Sequence, residues 1–313
     1  MSWPGQPVTV VVPATSANLG PGFDSLGLAL TLHDTVRAQV TDAGLQVQVT
    51  GIGADYAWGA TDKHLVIQAM QAGFAAAGEE PPGIAIFCRN EVPQGFGLGS
   101  SAAAIVAGLL AARALAAAHR RAAGPADVLP DAEVLRLACE MEGHADNVAA
   151  CLAGGLIITW PRPAGPQVVR LTPEPALAPV LCVPAIPVPT KMARNALPEQ
   201  VPHADAAANS ARTALLITAL TGRPDLLLDA TEDFLHQRYR APVMPGTASL
   251  LAALRAAGVA AVISGAGPSV LALTVDGQIP AADDVGRIAA QHAQPWRVLP
   301  LRVDTEGARL IAE

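Results

Sequence analysis

From Pro93 to Ala102 the chain reads Pro-Gln-Gly-Phe-Gly-Leu-Gly-Ser-Ser-Ala, with glycines at 95, 97 and 99 and two hydroxyls just ahead of a long apolar run. Glycine at alternate positions lets a backbone turn tightly and approach a ligand closely. The helix expected next would present unpaired N–H groups and the positive end of its dipole, a natural seat for phosphate. Neither of the better-known nucleotide loops is present: G-x-x-x-x-G-K-[ST] needs a lysine that is missing, and the glycine spacing departs from G-x-G-x-x-G. Taken alone, the segment reads nearly as well as a tight strand-to-helix turn with an ordinary N-cap.

Two further segments have a similar character. Pro13 to Asp24 reads Pro-Ala-Thr-Ser-Ala-Asn-Leu-Gly-Pro-Gly-Phe-Asp, and Ser264 to Ser269 reads Ser-Gly-Ala-Gly-Pro-Ser. Asn18 and Asp24, held between glycines and prolines, suit a grip on a small polar ligand, although both types are also ordinary turn residues. The later segment, with Gly265 and Gly267, would serve equally as a hairpin turn. Three such loops in one chain favour a composite anion site over three unrelated turns.

The 313 residues exceed one ordinary core of about 100–200 residues and suit two fused domains. A net charge of −7, with 15% charged and 51% hydrophobic residues, fits a compact enzyme better than a disordered or nucleic-acid-binding chain. The longest apolar run, Ala102 to Ala112, falls short of the ~20 residues of a bilayer span. Met1 to Pro7 lacks the charged-then-apolar pattern of a secretory leader, so the expectation is a cytoplasmic protein with no membrane or nucleic-acid partner. Cys88, Cys139, Cys151 and Cys182 stand far apart without a CxxC pair and read as reduced core thiols.

The elements that must carry the loops follow from periodicity. Val8 to Val12, β-branched and closed by Pro13, predicts a strand feeding the first loop. Thr35 to Val40, Leu45 to Val49 and Ile84 to Cys88 read as strands, and His64 to Ala77 recurs at helical spacing until Gly78. Gly99 to Ala118, rich in Ala and Leu and free of proline, predicts a long helix with Ser100 or Ser101 near its N-cap. Asp131 to Met141 predicts a helix with an acidic first turn, and Leu156 to Trp160 a strand. Prolines recurring from Pro161 to Pro189 place a domain junction near residue 175, dividing the chain into 1–175, with the glycine loop, and 176–313. The second half predicts helices at Asp205 to Leu220, Gly246 to Ala257 and Asp284 to Gln294, and strands at Val259 to Ile263, Val270 to Thr274 and Arg297 to Val303. The fold class is α+β.

The three loops, in this order and at these places, resemble the three signature motifs of the GHMP kinases, and the similarity covers nearly the whole chain. The resemblance implies a two-domain α+β fold with the active site between the N- and C-terminal domains, MgATP as phosphoryl donor and a small alcohol or phosphate as acceptor. Within the family, Pro13 to Asp24 followed by Leu26-Gly27-Leu28-Ala29-Leu30 is similar to the members that phosphorylate homoserine. So are Glu142-Gly143-His144-Ala145-Asp146-Asn147-Val148-Ala149, Thr190-Lys191-Met192-Ala193-Arg194-Asn195-Ala196-Leu197-Pro198, and Tyr239-Arg240 ahead of Pro245-Gly246. The implied reaction is ATP-dependent phosphorylation of the L-homoserine hydroxyl to O-phospho-L-homoserine, in threonine biosynthesis. Relatives include homodimers, which makes a homodimer the implied assembly.

Homoserine carries a carboxylate, an ammonium and a hydroxyl. Arg194 and Arg240 can clamp the carboxylate bidentately, Asp24 with Asn18 suits the ammonium, and His144 joins the substrate contacts. The plainer readings are solvated surface arginines and a capping or packing histidine. Pro93, Gln94, Gly95, Phe96, Gly97, Leu98, Gly99, Ser100 and Ser101 would hold the phosphates, with Gly265 and Gly267 beside them. Magnesium prefers few protein ligands and keeps water, so a serine hydroxyl from Ser100 or Ser101 and one carboxylate would serve. Glu140 and Glu142 stand two apart on one predicted helix and point in different directions, so only one should reach the ion. The resemblance favours Glu140, with Glu142 its competitor.

Asn147 is assigned to orient the acceptor hydroxyl. Asp146, where some relatives keep an aspartate that accepts the hydroxyl proton, is read as structural. Lys63-His64-Leu65-Val66 departs from the Asn-Leu usual in the segment that borders adenine, so ATP is inherited from the resemblance and not read from residues. Two rivals stand beside this reading. A family member acting on another small alcohol would leave Arg194, Arg240 and Asp24 unpaired. A non-catalytic binding protein on the same scaffold is opposed by the presence of Ser100, Glu140, Asp146 and Asn147.

Overall fold

The computed structural model describes every residue except 1, 2, 4, 55–60, 123, 164, 279, 312 and 313; the leader reading at Met1 to Pro7 lies partly outside the described residues. In chain order the first half gives β1 (Val8–Ala17), β2 (Leu26–Val40), β3 (Gly44–Gly51), α1 (Leu65–Ala76), β4 (Gly83–Asn90), α2 (Ser100–Arg120), α3 (Asp131–Glu142), α4 (Asp146–Ala153), β5 (Leu156–Trp160) and β6 (Gln167–Leu171). The second gives β7 (Leu177–Pro184), α5 (Thr190–Asn195), α6 (His203–Thr221), α7 (Leu227–Ala230), α8 (Gln237–Arg240), α9 (Pro245–Ala256), β8 (Ala261–Ile263), β9 (Val270–Val275), α10 (Ala282–Ala290), β10 (Trp296–Pro300) and β11 (Arg309–Ile311). Helices and largely antiparallel sheets mix in both halves, the expected α+β class.

One sheet runs β11-β1-β2-β4-β3, with β5 added to the first half of β2 and β6 to β5. Its pairs are antiparallel except β3 with β4. β2 is long enough to serve two partners: Thr35 to Val40 pair with β4, and Leu26 to Leu28 with β5. The second sheet runs β10-β7-β9-β8, all antiparallel. The change from one sheet to the other falls between β6 and β7, yet β11 returns to the first sheet and pairs with β1.

Three apolar layers hold the halves. Val10, Val12, Val36 and Ile86 of the first sheet meet Ile67, Met70 and Phe74 of α1 and Ile105, Leu109 and Leu115 of α2. Between the sheets, Leu26, Leu28 and Leu30 pack with Leu181, Val262 and Leu271 and with Leu216 and Leu220 of α6. Each such leucine is worth about 1.5–3 kcal/mol over an exposed one, which is why the loops between the sheets sit on a firm base. The other face of the second sheet receives Leu250, Leu254, Val285 and Ile288 from α9 and α10. α2 is apolar and long enough by composition to cross a membrane, but most of it is buried inside the protein.

Two expectations are corrected here. Pro13 does not close β1; the register shifts between Pro13 and Ala14 and the strand continues to Ala17, because a bulge is where a strand tolerates a residue without an N–H. Thr15, Ser16 and Ala17 are therefore strand residues. The N-cap of α2 is Gly99, at φ +64°, with no side chain capping it, and Ser100 and Ser101 stand next to it in the first turn, near the cap as expected. The predicted strand Arg297 to Val303 stops at Pro300, after which Val303 bridges to Leu30 of the first sheet.

Candidate active site

The three glycine-bearing segments, far apart in sequence, meet at the end of β1. Thr15 N donates to Leu98 O at 3.0 Å, and Gly265 N to Ala17 O at 3.1 Å. Asn18 Nδ2 donates to Gly265 O at 2.7 Å, and Ser264 Oγ donates to Gly97 O at 2.7 Å and lies 2.9 Å from Ser16 Oγ, from which it can accept. Asn18 has φ +68° and accepts the Asp24 N–H on Oδ1 at 2.9 Å, so its amide ties the ends of its own loop as well as the third loop.

This close approach explains the glycines. Gly95, Gly97 and Gly99 have φ of +79°, +73° and +64°, the region that L side chains avoid. A Cβ on Gly97 would stand 2.1 Å from Ser264 O, and one on Gly99 2.0 Å from Thr15 Oγ1. With no side chain capping α2, its first-turn N–H groups are left for a ligand, and the dipole favours an anion there.

In front of this loop lies a cavity of ≈240 Å³ lined by Asn18, Gly95 to Ser101 except Phe96, Glu142, His144, Asp146, Asn147, Thr190, Arg194, Arg240 and Gly265. Ser100 and Ser101 also line a second cavity of ≈160 Å³, walled by Val12, Val36, Leu65, Val66, Cys88, Ala103 and Ala104 with Asp34, Lys63, His64, Asn90 and Gln94. Two chambers thus share one wall at the start of α2. The first is charged on both sides; the second is mainly apolar, and burial pushes His64 down from its ordinary pKa. Pro93 is buried and Phe96 packs into the core between the sheets, so neither faces a chamber; Gly267 stands behind Gly97.

Arg194 reaches Asp24 from α5, Nη2 to Oδ1 at 2.9 Å and Nη1 to Oδ2 at 3.3 Å. Arg240, 1% exposed, donates from Nη1 to Gly265 O at 2.9 Å and from Nε to Ala193 O at 3.4 Å. Burial, and then the neighbouring Arg194, lower its pKa to about 10, which leaves it charged at neutral pH. With those nitrogens engaged, Arg240 cannot offer the two-pronged face expected of it. Its Nη2 has no hydrogen bond among the described residues and is the nitrogen left for the cavity.

Of the two carboxylates considered for a metal, the structure turns Glu142 and not the expected Glu140 toward the loop. Glu140 points away from the loop, 60% exposed and paired with Arg136 one turn back on α3. Glu142, two residues on and so on another face, is turned to the loop and accepts from Ser101 Oγ at 2.6 Å. Burial raises its pKa, against the opposing effect of the Ser101 hydrogen bond. Among the described residues no three of His, Cys, Asp and Glu converge as a metal-ligating group. A cation here would take one carboxylate, a hydroxyl, phosphate oxygens and water, which fits an ion of few protein ligands.

α4 begins at the cavity. Asn147 Oδ1 accepts from Thr15 Oγ1 at 2.8 Å, so β1 fixes the side chain and frees Nδ2. Asp146, 2% exposed, accepts the Asn147 N–H on Oδ1 at 2.8 Å. His144 Nδ1 lies 3.2 Å from the same Oδ1, misaligned for a hydrogen bond, and the approach to Asp146 raises the imidazole pKa against burial. Thr15, Thr190 and Ser264 were assigned no role from sequence, although all three lie inside quoted motifs.

A glycine loop at a helix N-terminus, shared by a charged and an apolar chamber, has the make-up of a small-molecule phosphotransferase site. Residues 64–155 match the family described as GHMP kinases N terminal domain, and residues 215–297 the one described as GHMP kinases C terminal. The chain is 48% identical over 304 residues to the homoserine kinase of Streptomyces coelicolor, covering 97% of this chain and 94% of that one. It is 49% identical over 307 residues to the homoserine kinase of Clavibacter michiganensis, with coverage of 97% and 94%. The crystal structure of homoserine kinase from Cytophaga hutchinsonii superposes with a TM-score of 0.81 at 28% identity, over 99% of both chains. The chain belongs to the homoserine kinases of the GHMP family. It is an enzyme, and ATP is the phosphoryl donor of that family.

Proposed function

We propose that the chain transfers the γ-phosphoryl group of ATP to the side-chain hydroxyl of L-homoserine, giving O-phospho-L-homoserine for threonine biosynthesis. The observation that carries this reading is the grouping beside the glycine loop of two cations that line the cavity, Arg194 and Arg240, with an anion, Asp24, ion-paired to Arg194: the complement of an amino-acid zwitterion. An acceptor lacking either charge could not replace both members of the Asp24–Arg194 pair. The relatives at 48–49% identity bearing the name homoserine kinase support it.

Phosphoryl transfer asks mainly for positioning and charge neutralisation. In this reading Gly95 to Ser101 and the first turn of α2 hold the phosphates, and the apolar chamber beside Lys63, His64 and Gln94 takes the adenosine end. Mg²⁺, when bound, neutralises phosphate charge; Glu142 and a hydroxyl of Ser100 or Ser101 would hold it. Asp24 takes the ammonium, Arg194 and Nη2 of Arg240 the carboxylate, and Asn18 fixes Asp24. The Nδ2 group of Asn147 orients the hydroxyl, while Asp146 holds Asn147 and His144 in place. The division into 1–175 and 176–313 puts the acceptor site between the two parts, since Asp24 and Asn147 come from one and Arg194 and Arg240 from the other. A homodimer in the cytoplasm completes the proposal.

The test is ADP release with MgATP and, in turn, L-homoserine, L-serine, L-threonine, mevalonate and galactose. Turnover on L-homoserine alone, lost in Arg240→Ala, is the expected result. Robust turnover on another acceptor would keep the kinase and discard this pocket assignment.

A further inference from the structure

Arg240 heads the fully buried side chains of the protein by volume, and a buried guanidinium needs its donors matched. One match comes from a residue outside the cavity: Arg240 Nη1 lies 3.0 Å from His236 Nδ1. His236 is itself 0% exposed, and its Nε2 lies 2.8 Å from Gly20 O in the first loop. A carbonyl only accepts, so the ring proton must sit on Nε2 and Nδ1 must be bare, which is the form that can accept from a guanidinium. Burial lowers the His236 pKa to about 4, with Asp233 opposing and Arg240 adding to the shift, so the ring stays neutral in ordinary buffers. Phe23 closes the arrangement, its ring 5.2 Å from the His236 ring and 5.7 Å from Arg240 Cζ.

We propose that His236 is a positioning residue: its bare Nδ1 holds Nη1 of Arg240 so that Nη2 alone is turned to the carboxylate of the acceptor. The chain of contacts runs from the Gly20 carbonyl through the imidazole to the guanidinium, so the first loop sets the aim of a cation carried by α8. It rests on the reading of Arg240 as a carboxylate contact.

The test compares L-homoserine with 3-aminopropan-1-ol, the same amino alcohol without the carboxylate, in wild type, Arg240→Ala, His236→Gln and His236→Asn, with Tm measured for each. A Gln amide reaches the Nε2 position and can keep Gly20 but leaves Nη1 without its acceptor. An Asn amide places an oxygen near the Nδ1 position. The expected result is a rise in KM for homoserine of about 10-fold or more in His236→Gln, with KM for aminopropanol and Tm little changed, and recovery of most of the preference in His236→Asn. Should His236→Gln not fold, His236→Ala with added imidazole replaces it, homoserine turnover returning with the imidazole. Equal losses on both substrates, an unchanged KM for homoserine, or no recovery by Asn or imidazole would overturn the proposal. If Arg240→Ala keeps the preference for homoserine, the carboxylate reading itself fails and the role of His236 falls with it.

Discussion

Arg194 and Asp24 form a two-pronged ion pair that joins α5 to the first loop across 170 positions of sequence. Both side chains are more than a third exposed, and such a pair contributes only about 0–1 kcal/mol to stability. Its interest is in what it holds ready: a zwitterion can replace each partner by its own opposite charge. Asp24→Asn is expected to raise KM for homoserine about 10-fold or more while moving Tm by no more than a few degrees. A large fall in Tm with KM unchanged would make the pair a brace and not a binding element.

Glu142→Gln and Glu140→Gln separate the two carboxylates of α3. The first should lower kcat about 100-fold, roughly 2.7 kcal/mol of barrier, and weaken the dependence on Mg²⁺; the second should stay within about twofold, as for a surface pair. The reverse order would return the metal to the exposed glutamate.

Asp146→Asn tests whether a general base is used. Removing a base costs about 10²–10⁴-fold in rate, whereas a carboxylate that only holds Asn147 and His144 can be replaced by an amide with a smaller loss. Turnover within about tenfold of wild type is expected; a fall of about 100-fold or more would make Asp146 the base.

Gly97→Ala should abolish ATP binding. It combines a backbone at φ +73° with a Cβ 2.1 Å from Ser264 O, so the glycine loop and the third loop must separate or the glycine loop must flatten. Calorimetric titration with ATP and a Tm measurement would show both effects; ordinary affinity with ordinary Tm would contradict the close approach of the loops.

Asp34 offers a test in pH. Its Oδ1 accepts the N–H groups of Glu91 at 2.6 Å and Val92 at 2.8 Å, yet burial dominates and raises its pKa from 3.8 to about 6. A carboxyl whose folded pKa is the higher stabilises most fully below its unfolded pKa and loses that contribution as pH rises through the folded value. Asn can accept both N–H groups on one oxygen without the charge. Asp34→Asn should therefore gain in Tm on wild type between pH 4 and pH 7; a difference that does not change with pH would refute the shift.

Much of this was legible because the motifs carry their own punctuation. Gly95, Gly97 and Gly99 announced a close backbone approach, and the run from Gly99 to Ala118 announced α2 to within two residues. Strand ends were less legible: Pro13 reads as a stop, and only pairing with β2 reveals the bulge that lets β1 run on through Thr15 to Ala17. Glu140 and Glu142 could be told apart as facing different ways, but which way depends on how α3 is rolled against α2, a tertiary fact. His236 was not singled out: its spacing of four from Arg240 is an ordinary helical one, and the contact that fixes its ring, with Gly20 O, spans 216 positions.

The return of β11 to β1 bears on how this enzyme is made. Thr9 pairs with Ile311, so the first sheet draws on nearly the whole length of the polypeptide. On the ribosome, where N-terminal segments emerge and begin to fold first, the edge of β1 waits uncovered until Arg309 to Ile311 have been made. Until then that edge presents unpaired backbone N–H and C=O groups to which an extended segment of another chain could add.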